Sequence, residues 1–166
     1  MGRRGRGRAA APGGVMSAAV STDAAGETIT GMVHEIWTQG HFEAVPRFIH
    51  PDYTMLDERA EIRLRGRQAF TETVAAFRGL FDEPRMRVTH LVSGQDMVAY
   101  RWELTGRISD TKLLTPVLQA IERHVPDVRL ISHRGLSIAR LEDGLIIEEW
   151  SEADNTAMSQ QLGWWK

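Results

Sequence analysis

From Glu27 onward apolar residues recur at helical spacing. Ile29, Met32, Val33, Ile36 and Trp37 fall on one stripe, which predicts a first helix ended by Gly40. Phe42, Val45, Phe48 and Ile49 suggest a short second helix interrupted near Pro46. His50-Pro51-Asp52 then breaks the pattern ahead of a strand over residues 53–57, and a polar loop follows. Phe70, Val74, Phe77 and Phe81 mark a third helix that Pro84 closes. Beyond it the period changes from helical to alternating. Residues 86–92 and 97–108 read as strands around Ser93-Gly94-Gln95-Asp96, and residues 129–141 and 145–153 as a second pair. The link of that second pair, Glu142-Asp143-Gly144, contains Asp-Gly, a strong hairpin signal. Between the pairs, Val117, Leu118, Ile121 and Val125 fit one extra short helix within residues 111–126, and a final helix is expected over residues 155–162.

Helices followed by a mainly antiparallel sheet indicate an α+β domain with the helices packed on one sheet face. If that sheet is curved around the N-terminal helices, it forms a cone-shaped pocket. A length of 166 residues with 42% hydrophobic content suits one such domain, over residues 26–166.

No apolar run approaches the roughly 20 residues that span a bilayer, so no membrane partner is expected. The chain has no cysteine, hence no disulfide, no thiolate nucleophile and no thiolate-bound metal, and a cytoplasmic location is the default reading. The net charge of −2 is unevenly spread. Arg3, Arg4, Arg6 and Arg8 against Asp23 give residues 1–25 a net of +3, which leaves −5 for the remainder. An acidic body argues against nucleic acid as a partner, because such modules cluster Lys and Arg on the folded domain. The Gly/Ala/Pro/Arg-rich leader over residues 1–25 reads as disordered, or as a mis-called start ahead of Met16. His34, His41, His50, His90, His124 and His133 show no metal-ligand spacing, and no glycine-rich phosphate loop follows a strand, so neither metal nor cofactor is expected.

Two segments carry a family resemblance. One contains Gly66-Arg67-Gln68-Ala69-Phe70, His90-Leu91-Val92 and Val98-Ala99-Tyr100-Arg101-Trp102-Glu103-Leu104-Thr105-Gly106. The other contains Arg134-Gly135-Leu136-Ser137-Ile138-Ala139-Arg140, Asp143-Gly144, Ile147-Glu148-Glu149-Trp150 and Gln160-Gln161-Leu162-Gly163. Over about residues 27–163 the chain resembles the SnoaL-like polyketide cyclases of the nuclear-transport-factor-2-like superfamily. The resemblance implies the fold more sharply than the reaction, since this fold hosts cyclases, isomerases, dehydratases, epoxide hydrolases and non-enzymes. In the aldol-type cyclases a catalytic Asp and His fall where this chain has Ser151 and Ser137, and serine does not replace them in proton transfer near neutral pH. The base of the related ketosteroid isomerases falls on Asp57, five residues beyond Asp52, while their oxyanion-holding Tyr falls on Val33. The Arg-x-Asp of the limonene epoxide hydrolases resembles Arg101-Trp102-Glu103.

Strand alternation puts Arg101 and Glu103 on one face and Tyr100, Trp102 and Leu104 on the other. With the polar pair toward the pocket, a desolvated carboxylate beside a guanidinium positions a water or removes an acidic C–H proton; a structural ion pair is the alternative. On the last strand Ile147, Glu149 and Ser151 share a face, which makes Glu149 a second cavity carboxylate or an exposed strand residue. Asp154 is expected to cap the last helix rather than to act in catalysis. The expected catalytic set is therefore Asp57, Arg101, Glu103 and Glu149, with Trp37, Tyr53, Met55, Phe77, His90, Ser137 and Ser151 as ligand contacts.

The expected function is cofactor-independent acid/base catalysis on a small hydrophobic, polyketide- or terpenoid-like substrate, by cyclisation, isomerisation, dehydration or epoxide opening. The alternative is a non-catalytic small-molecule-binding or assembly module of the same fold. Placing Tyr100, Trp102, Leu104 and Trp150 outward leaves an apolar patch and predicts a sheet-to-sheet homodimer; a one-residue change of register reverses that argument.

Overall fold

A computed structural model describes residues 24–57, 62–94, 96–108 and 129–162. The chain opens with α1 (Ala24–Met32), which runs directly into a π-helical stretch, Val33–Gln39. Gly40 ends it in the left-handed region at φ 78°, where its N–H meets the Ile36 carbonyl. A 3₁₀ turn over Phe42–Arg47 follows, tight enough to accommodate Pro46. The strands are β1 (Ile49–Asp57), β2 (Ile62–Arg65), β3 (Asp82–Ser93), β4 (Met97–Ile108), β5 (Arg129–Glu142) and β6 (Leu145–Ala153). Helix α2 (Gly66–Gly79) lies between β2 and β3, and α3 (Asn155–Gln161) follows β6.

All six strands form one sheet in the order β2-β1-β6-β5-β4-β3, antiparallel except for the β1–β6 pair. The fold is α+β, as the pattern predicts. Helix α1, the π-helical stretch and α2 cover the concave face of the curled sheet. Ile29, Met32, Ile36, Phe70 and Val74 meet Tyr53, Val98, Leu104, Ile131 and Ile146 in a single core. Arg78 of α2 ties the helical layer together by donating to the carbonyl oxygens of Trp37 and Thr38, at 2.9 Å for Thr38. Those carbonyls end the π-helical stretch and lack helical partners of their own.

Three strand boundaries differ from the sequence reading. β3 begins at Asp82 rather than at residue 86, so Pro84, expected to close the third helix, lies inside this edge strand, and α2 already ends at Gly79. β1 begins at Ile49 and runs through Pro51, because the ladder with β6 is interrupted between Ile49 and Thr54, where a missing N–H costs nothing. The segment read as a polar loop contains β2, a four-residue edge strand with arginines at Arg63 and Arg65. The helix expected within residues 111–126 lies outside the described residues, as do residues 1–23 of the leader. Ala24 and Ala25 begin α1.

Candidate functional site

The concave face holds a cavity of about 150 Å³ between the sheet and α2. Its floor comes from alternate residues of neighbouring strands. Ser151 of β6 stands opposite Ser137 of β5, which stands opposite Tyr100 of β4. On the other side, Met55 of β1 pairs with Glu149 and Leu56 with Trp150; one residue further along both strands, Asp57 and Ser151 line the cavity. Asp57, Ser151, Ser137 and Tyr100 thus make a polar row across an otherwise apolar chamber, with Trp37, Phe70 and Phe77 opposite them.

Glu149 is only 7% exposed, and each of its oxygens accepts a tyrosine hydroxyl: Tyr53 at 2.8 Å and Tyr100 at 2.5 Å. Burial, reinforced by the adjacent Glu149 carboxylate, pushes both phenols well above their ordinary pKa, so both stay protonated as donors. Asp57, 6% exposed, is the second buried carboxylate of the chamber. Trp102 Nε1 donates to Ser137 Oγ at 3.1 Å, and Ser137 donates on to Ser151 Oγ at 3.0 Å. Ser151 Oγ ends this chain at the cavity wall. Gly135 is required beneath the indole, since a Cβ there would lie 2.2 Å from Trp102 Cζ2 and 2.6 Å from the Glu152 carbonyl oxygen. His133 sits directly across from Leu104 and also lines the chamber, with Nε2 3.2 Å from Asn155 Oδ1.

Of the expected catalytic set, Asp57 and Glu149 reach the cavity. Arg101 and Glu103 do not. They project from the opposite face of β4, because that strand buries Tyr100, Trp102 and Leu104 inward. Burial of three large side chains outweighs any gain from enclosing a guanidinium and a carboxylate, whose desolvation is costly. On the outer face Glu103 is flanked across the ladder by Arg87 and Arg134. It accepts from both guanidinium groups and from the Ser132 hydroxyl, at 2.9 Å from Arg87 Nε, 2.9 Å from Arg134 Nε and 2.8 Å from Ser132. These donors, Arg87 foremost, hold the Glu103 carboxyl at about 2. Arg101 donates to Thr89 Oγ1 at 3.2 Å. Glu103 thus belongs to an ion-pair cluster with Arg87 and Arg134 on the sheet exterior, and neither it nor Arg101 lines the cavity.

Among the expected ligand contacts, Trp37, Tyr53, Met55, Phe77, Ser137 and Ser151 all line the cavity. His90 does not; a register shift between Val88 and His90 leaves it exposed beside Thr89. Tyr100, Trp102, His133 and Asn155 are contacts that the sequence reading missed. Asp154 caps α3 by accepting from the Ala157 amide at 2.9 Å, as expected. Among the described residues no group of three His, Asp or Glu side chains is placed to hold a metal ion, and no helix is long and apolar enough to cross a membrane.

No curated protein matches the sequence. Among solved structures, a candidate polyketide cyclase from Acidithiobacillus ferrooxidans superposes with a TM-score of 0.70 at 23% identity, covering 86% of this chain and 96% of its own. IdmH, a candidate polyketide cyclase from Streptomyces antibioticus, gives 0.67 at 25% identity over 84% of this chain and 98% of its own. AclR, a candidate hydroxylase from Streptomyces galilaeus, gives 0.66 at 16% identity over 86% of both chains. At such identities these likenesses speak for the fold. The model of the SnoaL-like polyketide cyclases matches residues 27–162, nearly the whole of the described chain, and the protein belongs to that family.

Proposed function

We propose that the chain is a cofactor-independent enzyme that acts on a small, largely hydrophobic organic substrate by general acid/base chemistry, with Asp57 as the base. The observation that carries this reading is the pair of buried carboxylates, Asp57 and Glu149, facing one apolar cavity. Buried carboxylates are costly to a fold and concentrate at functional sites. In the proposed step, Asp57 takes a proton from a carbon next to a carbonyl. The C–H electron pair moves into the enolate, and the Ser151 hydroxyl, backed by Ser137 and Trp102, donates a hydrogen bond to the developing oxyanion. Return of the proton to another carbon completes an isomerisation. Attack of the enolate carbon on a second carbonyl, with the proton on Asp57 passing to the alkoxide that forms, completes an aldol-type cyclisation. Glu149 holds Tyr53 and Tyr100 in place and is a positioning residue in this scheme.

The test is deuterium exchange at the acidic carbon of a panel of small cyclic ketones and β-dicarbonyl compounds, followed by NMR. Wild-type protein should accelerate exchange for some members, and Asp57→Asn should reduce that acceleration by 10²-fold or more. Equal acceleration by both proteins removes Asp57 as the base. Ligand binding without any exchange favours the non-catalytic module.

Self-association belongs to the same proposal, on a set of side chains that shares only Trp150 with the one expected. With Tyr100, Trp102 and Leu104 inside, the outer sheet face presents Leu136, Ile138 and Trp150, all exposed and adjacent on β5 and β6. An apolar cluster on a sheet face suits a symmetric pairing of two copies. Light scattering should report a dimer for the wild type and a folded monomer for Trp150→Glu. A monomeric wild type at tens of micromolar rejects the pairing.

A further inference from the structure

The polar groups that the proposed mechanism uses lie in the row from Asp57 to Tyr100. His133 is not among them. It lies four residues before Ser137 on the same face of β5, with Trp102 between the two: the indole Nε1 bonds Ser137 while the ring meets the imidazole edge-on at 5.4 Å. Phe77 covers His133 from α2 at 5.5 Å. The imidazole is 3% exposed. Its Nε2 faces the Asn155 amide oxygen, an acceptor, so Nε2 carries the proton and Nδ1 presents a bare lone pair. That Nδ1 is buried and has no hydrogen-bond partner among the described residues. An orphaned acceptor in a ring that borders an apolar cavity is costly for the protein on its own, and a ligand that brings a donor removes the cost. Burial also holds the imidazole below its ordinary pKa, which keeps the lone pair free.

We propose that His133 Nδ1 is a recognition point of the cavity, which accepts a hydrogen bond from a ring bearing a hydroxyl or N–H donor. The ligand class is then a phenol, an enol or a comparable ring donor, held between Phe77 and Trp102. This deepens the catalytic reading and rests on its view of the cavity as the substrate site. A chamber of this volume suits one six-membered ring. His133 acts here in orientation and specificity, with proton removal left to Asp57.

Phenol and toluene are matched probes, alike in size and differing in the donor. Phenol should bind wild-type protein about tenfold or more tightly than toluene, the order expected when a buried acceptor gains its partner. In ¹⁵N NMR of the wild type, His133 should be the Nε2–H tautomer, and its Nδ1 resonance should move with phenol and stay with toluene. His133→Phe should bind both probes alike, while Asp57→Asn keeps the preference for phenol. Exchange that is absent in the wild type, or equal in wild type and Asp57→Asn, with the phenol preference intact would thus separate failure of the catalytic reading from failure of this one. A wild type that binds the two probes equally, or neither at millimolar concentration, overturns the proposal. So does an Nδ1 that carries the proton in the free protein, whether or not His133→Phe folds.

Discussion

Removing the tyrosine hydroxyls around Glu149 tests the interior of the site without any knowledge of substrate. Tyr53→Phe and Tyr100→Phe each delete one oxygen atom and leave the ring packing in place. Each also leaves one oxygen of a buried carboxylate without its donor, at the 2.8 Å and 2.5 Å contacts respectively. A hydrogen bond to a charged group contributes about 1.5–3 kcal/mol. For a chain of this size that corresponds to a fall in Tm of about 3–12 °C, at about 2–4 °C per kcal/mol. The double variant should lose more than either single one, because the carboxylate is then stripped of both donors. Glu149→Gln separates the charge-assisted part. In that background each Tyr→Phe should cost only the ~1 kcal/mol of a neutral hydrogen bond, so a double-mutant cycle should show coupling of about 0.5–2 kcal/mol. Urea unfolding of wild type, the two Tyr→Phe variants, Glu149→Gln and the two Tyr→Phe/Glu149→Gln combinations supplies every corner of both cycles, with the Tyr53→Phe/Tyr100→Phe double measured beside them. If both single variants stay within about 0.5 kcal/mol of wild type, the hydroxyls do not hold a buried charge and the description of the site is wrong.

Two further outcomes follow from neighbouring contacts. Gly135→Ala drives a methyl group into the Trp102 indole and toward the backbone carbonyl of Glu152; a destabilisation of about 1–3 kcal/mol is expected, with a shift in Trp fluorescence, and unchanged stability and emission would refute the packing. Glu103 is held at about 2 against an ordinary 4.5, so its contribution is fully present above about pH 4.5 and is lost as pH falls toward 2. Glu103→Gln should flatten the decline of Tm across that window, and parallel curves for variant and wild type would show that the cluster does not stabilise the fold.

The strands were legible because their alternation is long: β4 and β6 begin and end where the pattern changes. The four residues of β2, Ile62-Arg63-Leu64-Arg65, alternate too, but the run is too short to stand out from its polar surroundings, and pairing with β1 makes it a strand. At the site, alternation sorted β4 correctly into two sets, Arg101 with Glu103 and Tyr100 with Trp102, yet it gives no sign for which set turns inward. The apolar set should have decided it, since burial of aromatics outweighs an enclosed ion pair. Glu149 reads as ambiguous because most glutamates are exposed. Its burial follows from the position of β6 inside the sheet, between β1 and β5, a property of topology that no local window contains. His133 carried no signal at all in isolation. Its significance comes from Asn155, Phe77 and Trp102, which lie on three other elements.

The parallel seam between β1 and β6 also sets when, during synthesis, the cavity comes into existence. The bond from Tyr53 to Glu149 joins residues 96 apart, and β1 has no partner on that side until the last strand arrives. At about 5–20 residues per second, the ribosome delivers β6 several seconds to some twenty seconds after β1. During that interval β1 has only the short hairpin with β2, which is marginal by itself in water. The nascent chain therefore carries an unpaired strand edge while most of the sheet is being made, and long-range pairing of this kind is slow to form. Asp57 and Glu149 become neighbours of one chamber only once β6 has been made, so a nascent chain lacking β6 carries Asp57 with no chamber around it.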